Sequence, residues 1–279
     1  MRAAKLWLFA ACSCAVIAAE ALCPQKPEPG AVQEKVRRSF AFGERLVYSV
    51  KWDPPWYLFF LPTMEAGEAD LLLAGEIEYK NKKAWKISFK AHSSGRLAKL
   101  SGMKIEDEFV FLTEPETFCT LSASEIIREG KRKRHVDLDY LRDTNQLHIR
   151  EMDEAVDPPK LKRDEIKGNI PTCVQDPLSA LYSFRASELR LGQIQAFTVG
   201  YYDRIKEVRT QIEKQESLDT VFGKLAAWNV STHALLGGIF KEGGQFKLWI
   251  SADERKLPLQ FEAKVSLGRI LGRLKSLGN

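Results

Sequence analysis

Trp85-Lys86-Ile87-Ser88-Phe89-Lys90-Ala91-His92 places an apolar residue at every second position and a polar or charged one between. Successive side chains of a strand point to opposite faces, so this run reads as a strand with one face on a core and one in water. The same period recurs upstream. Leu46, Tyr48, Val50 and Trp52 alternate with Val47, Ser49 and Lys51, and Ala69, Leu71 and Leu73 continue it. Lys80-Asn81-Lys82-Lys83, just before the quoted run, has the polarity of a hairpin turn.

Downstream, strand patterns fit 106–112, 118–127, 135–140 and 147–150, then 195–201, 205–212, 225–232, 245–251 and 259–265. Gly130, Asn145, Gly223 and Gly243-Gly244 punctuate them. Roughly a dozen such segments with little helix predict an all-β domain, a curled antiparallel sheet or open β-barrel that hides its edges.

One segment departs from this period. Asp176-Pro177 has the form of a helix cap followed by proline at the first helical position, where a missing N–H costs nothing. Leu178, Leu181, Tyr182, Arg185 and Leu189 then fall on one face, and Gly192 closes the element. The pattern predicts an amphipathic helix of about 14 residues over 176–190, packed against the concave side of the sheet. A second, weaker apolar pattern, Leu267 to Leu277 with Ile270, Leu271 and Leu274, suggests a short amphipathic end piece.

The first 21 residues have the order of a secretory signal peptide. Arg2 and Lys5 precede an apolar core from Leu6 to Ala19, and Ala19-Glu20-Ala21 offers a small-x-small cleavage site. The apolar run is too short for a bilayer span, so no transmembrane segment is expected once it is removed. Residues 22–38, with Pro24, Pro27, Pro29 and a charged end, read as a linker to a single domain over 39–279. Loss of two basic and one acidic residue with the leader lowers the net charge of +5 to +4. That mild, dispersed excess does not point to nucleic acid.

Cys23, Cys119 and Cys173 then remain, without the paired spacing of a zinc site or disulfide framework. An oxidising compartment permits a Cys119–Cys173 bridge, and two buried thiols are the alternative. Lipidation at Cys12 would leave only a short apolar core before it.

No catalytic set emerges. His92, His135, His148 and His233 lack the spacing of a zinc helix. Ser179 lies outside any nucleophile-elbow motif and fits the first turn of the helix. Gly237-Gly238 and Gly243-Gly244 lack the residues of a phosphate cradle, so no cofactor is called for. Lys131-Arg132-Lys133-Arg134 reads as a solvated strand edge. Asn229-Val230-Ser231 is a formal glycosylation acceptor, but it falls within a strand.

Two features call for explanation. Arg185 sits among the apolar residues of the helix stripe, where a buried guanidinium needs a carboxylate; Asp253 and Glu44 are the candidate partners. An acidic ligand head is the alternative. Trp56-Tyr57-Leu58-Phe59-Phe60-Leu61 stands between Pro54-Pro55 and Pro62, which disfavour a central strand. Trp56, Tyr57, Phe59 and Phe60 either plug the core or, with Tyr182, line a lipophilic cavity or touch a membrane.

Phe42 to Val50, Ala66-Gly67-Glu68-Ala69, Gln175 to Arg185 and Leu248 to Pro258, in this order and spacing, resemble the bacterial exported family known as domain of unknown function 3108. The resemblance runs from about Phe40 to Leu274 and implies a protein of a Gram-negative-type envelope. A looser analogy, to the periplasmic lipoprotein carriers, suggests a curled sheet wrapped round a helix. The expected function is therefore a non-enzymatic periplasmic or envelope protein that holds a lipid in the concavity of its sheet. A scaffold for an envelope partner protein is the rival reading, and an enzyme acting on envelope polysaccharide a distant third.

Overall fold

The computed structural model describes residues 39–102, 104–233, 245–265 and 267–278. The leader, the linker, Cys23 and the two glycine pairs lie outside the described residues. The first half of the sheet comprises β1 (Arg45–Asp53), β2 (Met64–Tyr79), β3 (Lys82–Ser93), β4 (Glu106–Thr113), β5 (Thr120–Glu129), β6 (Arg132–Leu141), β7 (Gln146–Asp153) and β8 (Lys160–Lys167). The second comprises β9 (Ile194–Tyr201), β10 (Arg204–Thr220), β11 (Gly223–His233), β12 (Gln245–Ser251), β13 (Pro258–Lys264) and β14 (Arg269–Gly278). Two helices accompany them, α1 (Gly95–Ser101) and α2 (Pro177–Ala186).

The strands form one antiparallel sheet in the order β8-β7-β6-β5-β4-β3-β2-β1-β14-β13-β12-β11-β10-β9. It is thus two meanders joined where β1 pairs with β14, from Arg45↔Gly278 to Asp53↔Arg269. The sheet curls without closing: β8 and β9 are its edges. Lys80 and Asn81 take up the β2–β3 turn in left-handed conformations, at φ 49° and 62°, as a two-residue hairpin with right-handed strand twist requires.

Two strands escaped the sequence pattern. Six of the eight residues of β8 are charged, and it has no buried face; alternation cannot reveal an edge strand protected in this way. Residues 267–277 are not a helical end piece. Most of them form β14, because β1 offers a complete row of backbone partners, and tertiary pairing overrides a weak local preference.

The gap between the edges is bridged by the chain that leads into α2. Gln175 N–H donates to Thr198 O at 2.9 Å, Gly200 N–H donates to Gln175 O at 2.8 Å, and Thr120 N–H donates to Val174 O at 2.8 Å. Residues 174–175 therefore lie as a short splice between β5 and β9. Cys119 and Cys173 are joined in a disulfide beside it. Further along the gap, Arg163 of β8 reaches Asp203 at 3.0 Å and stacks over Tyr202 with Arg134 of β6.

At one end the Ser39–Glu44 segment and the β12–β13 link meet α2 through Arg185, and the β4–β5 link meets the chain entering it through Thr117 and Gln175. The opposite end carries the β1–β2, β3–β4, β5–β6, β7–β8, β9–β10 and β13–β14 connections.

Candidate functional site

Asp176 caps α2, accepting from Leu178 N–H at 2.8 Å and Ser179 N–H at 2.9 Å, and Thr120 Oγ1 donates to its other oxygen at 2.8 Å. Ser179 also contacts Thr113 of β4 at 2.6 Å. It is a first-turn packing residue, fully buried. Burial raises the Asp176 carboxyl, and this set of hydrogen bonds offsets part of the rise. The helix runs for 10 residues, not 14. Ser187 turns extended and its hydroxyl donates to Phe184 O at 2.8 Å, which ends the helix before Leu189.

Arg185 and Tyr182 are fully buried on this helix. Arg185 Nη1 and Nη2 grip the two oxygens of Glu44 at 2.6 and 2.8 Å. Nη2 also donates to Ser39 O and Arg255 O. The guanidinium lies over the rings of both Phe40 and Tyr182, 5.0 and 5.1 Å from their centres, and the two rings meet each other edge-on at 4.8 Å. Desolvation alone would pull its pKa down, but Glu44 outweighs this and holds it above the ordinary value. Asp253 is not the partner. It sits at the end of β12 and binds Ser251 and Arg255 instead, because a short reach within its own loop satisfies it. Tyr182 is not a cavity lip either: it donates to Glu44 at 3.3 Å inside the core. The helix therefore seals one end of the curled sheet.

Toward the other end the inner face opens in part, although Ile127 on β5 and Ala263 on β13 stay buried there. On β1, Leu46 and Tyr48 are buried while Val50, the next inward residue, is only partly covered. Ile87 gives way to Phe89 on β3, Phe111 to Phe109 on β4, Ile250 to Leu248 and Phe246 on β12, and Leu259 to Phe261 on β13, each passing from buried to partly exposed. Trp52 stays covered, tied to Leu267 O at 2.7 Å.

The half-covered rings form two groups, each leaning on a buried one. Phe89 and Phe109 follow buried Phe111 along one wall, at 6.1 and 6.4 Å between neighbours. Phe246 and Phe261 follow buried Tyr48 along the other, at 6.1 and 5.6 Å. Gly272 makes room for the Phe261 ring, since a Cβ there would lie 2.1 Å from it.

A polar band crosses the same interior. Glu125 of β5 faces inward between Ala123 and Ile127, is 1% exposed, and its Oε2 has no hydrogen-bond partner. Burial raises its carboxyl to about 7; Arg134 moderates the rise, and Asp176 and Glu151 add to it. Arg134 turns inward to Glu151 at 3.4 Å, so the basic run at 131–134 is solvated only in part. Tyr201, raised to about 12 chiefly by burial, feels the charge of Glu125. Sequence reading passed over Glu125 and placed Arg134 on a solvated edge, although both keep the parity of inward neighbours such as Ile127 and Val136.

The rim carries the aromatic loop. Trp56 and Phe59 are each 86% exposed, Phe60 68% and Tyr57 52%. The loop does not plug the core. Leu58 N–H donates to Pro55 O and Leu61 N–H to Leu58 O, each at 2.8 Å, and Thr63 Oγ1 donates to Asp53 Oδ1 at 2.9 Å. Trp56 packs edge-to-face on Tyr57, and Phe59 on Phe60. The rings thus lean on each other in a turn closed by backbone bonds.

On the outer face, an open hollow of about 490 Å³ lies over β2 to β7, lined by Lys86, Leu112, Asp137, Asp139, His148 and Arg150 among others. Some of its charges are engaged by neighbours: His148 contacts Asp164 at 2.7 Å, and Asp139 takes Lys80 and Tyr79. Among the described residues no cluster of His, Cys, Asp and Glu is arranged to hold a metal ion. Asn229 lies mid-strand, donating to Glu216 at 2.7 Å. No described helix is long and apolar enough to cross a membrane.

Residues 47–275 match a family described as a protein of unknown function, DUF3108. No curated protein matches the chain. Among solved structures it is similar to a beta-barrel-like protein of domain of unknown function DUF1849 from Brucella abortus. The two share a TM-score of 0.54 at 10% identity over 85% of this chain and 97% of that one. The likeness is one of fold.

Proposed function

This chain belongs to the DUF3108 family, and we propose that within it the protein is a non-enzymatic binder of lipid, holding an acyl chain in the open half of its concavity. The observation that carries this reading is the gradient of cover along the inner face. The same strands bury their inward residues beside α2 and leave Val50, Phe89, Phe109, Phe246 and Phe261 partly bare toward the rim. Apolar surface left accessible on the inside of a curled sheet favours a flexible hydrocarbon over a polar ligand. The leader-like order of residues 1–21 and the Cys119–Cys173 bridge support an envelope location, since disulfides persist in oxidising compartments. The charged edge strand β8 disfavours recruitment of a partner by strand addition at that edge.

Solvent extraction of protein purified from its own envelope, followed by mass spectrometry, tests the reading. Acylated molecules in stoichiometric yield are expected. Ala91, inward and partly exposed on β3, is the place to block the space: Ala91→Trp should fold and emerge without lipid. Preparations of the wild type that repeatedly carry none would overturn the proposal.

A further inference from the structure

The β1–β2 loop has an arrangement that ligand holding alone does not require. Four aromatic side chains stand outward on a turn whose backbone is fixed by its own hydrogen bonds. From Pro54 to Met64 the chain carries no charge. The carboxylate at its base, Asp53, is neutralised by Arg269, which holds the group below its ordinary pKa.

The next connection at this end is basic. From Ser94 to Ile105 the sequence carries Arg96, Lys99 and Lys104 and no acid. Arg96 and Lys99 are exposed on α1, and α1 is seated on β2, with Gly95 directly over Glu65. An uncharged aromatic projection beside exposed cations is the composition that partitions into the headgroup region of an anionic bilayer. Trp and Tyr rings settle at the interface, and Lys and Arg meet lipid phosphates.

We infer that this end of the sheet docks on a lipid surface, with Trp56, Tyr57, Phe59 and Phe60 inserted among the headgroups and Arg96 and Lys99 against their phosphates. The inference rests on the lipid-binding reading only for its purpose: docking here presents the open mouth to the bilayer. The contact itself follows from the loop and α1.

Cosedimentation of the leader-free chain with vesicles tests it. One set contains equal parts phosphatidylethanolamine and phosphatidylglycerol, and another phosphatidylcholine alone. Wild type should pellet with the anionic vesicles. A triple variant, Trp56→Ser with Phe59→Ser and Phe60→Ser, changes only exposed residues; it should stay folded and lose about tenfold in partitioning, as expected when inserted apolar area is removed. Arg96→Glu with Lys99→Glu should abolish the preference for anionic vesicles and leave binding to neutral ones unchanged. Equal pelleting of the triple variant and wild type overturns the inference. So does concentration-dependent dimerisation through the loop that vesicles do not reverse, which would make a second copy the occupant. The extracted lipid content of the triple variant separates the two proposals. Retained acyl ligand with lost docking leaves the concavity reading intact, and docking by protein that never carries lipid leaves only the present inference.

Discussion

Arg185 closes both terminal nitrogens on the carboxylate of Glu44, at 2.6 and 2.8 Å across 141 residues of sequence, and both side chains are almost wholly buried. This pair fixes the plug helix to the segment that enters β1. Removing one partner leaves the other charged in the core, so Glu44→Gln or Arg185→Met should each lower the unfolding free energy by roughly 3–5 kcal/mol. Arg185→Met combined with Glu44→Leu should recover most of that loss. Urea titrations of the three variants check this, and single variants that unfold with the wild type would refute it.

Glu125 should make stability fall with rising pH. Its folded carboxyl is raised from 4.5 to about 7, so between those values the folded state holds a proton that the unfolded chain has released. The stabilisation is complete below pH 4.5, disappears as pH rises through 7, and amounts to roughly 3 kcal/mol at most. Glu125→Gln removes the dependence. The melting temperature of wild type should drop between pH 5 and pH 8 by clearly more than that of the variant; parallel curves count against the assignment.

Replacing Cys119 and Cys173 with serine should cost about 2–4 kcal/mol, because the bridge closes a long loop; the two cysteines are 54 residues apart. The loosening should be local. Hydrogen exchange is expected to rise at residues 174–175 and along β9, where the splice spans the gap, before it rises in β1 or β14. Uniform loss of protection would show that the bridge does not act on the seam.

Gly67 lies on β2 between Val50 and Ser93. A Cβ there would sit 2.0 Å from the backbone oxygen of His92, and a backbone atom cannot swing aside as a side chain can. Gly67→Ala should therefore destabilise by roughly 2–4 kcal/mol. Gly75→Ala on the same strand provides the contrast, since nothing lies within 4 Å of its Cβ, although a positive φ of 145° adds strain there. A thermal melt of each variant separates a clash from strain alone.

Much of the sheet was legible in the sequence because one buried face imposes a period of two. Trp85 to His92 is read correctly as a strand, although Ser88 on its polar side is buried, and the cap at Asp176 is read correctly too. β8 was hidden because it buries neither face, and β14 because its glycines and leucines suit helix and strand alike until β1 is placed beside it. The helix length was overestimated because Leu189 keeps the apolar period past Ser187, where a side-chain hydroxyl takes over the last turn. For Arg185, sequence could demand a carboxylate but not choose between Glu44 and Asp253. That choice depends on which loop lies over the helix in three dimensions. The exposure of the aromatic loop was equally out of reach, since prolines and apolar residues describe a plug as well as a projection.

The pairing of β1 with β14 has a consequence for how the molecule is assembled. The two strands meet across 216 residues, as between Asp53 and Arg269, whereas the other neighbours among the described strands are consecutive in sequence. Each meander can form from local contacts as it emerges, but the first must wait with β1 as a bare edge until β14 has been made. A chain shortened by the ten residues of β14 would keep nearly all its hairpins and still present two unpaired inner strands, β1 and β13. Such edges are templates for joining another chain, so the expected fate of that truncation is aggregation from an otherwise well-formed pair of half-sheets.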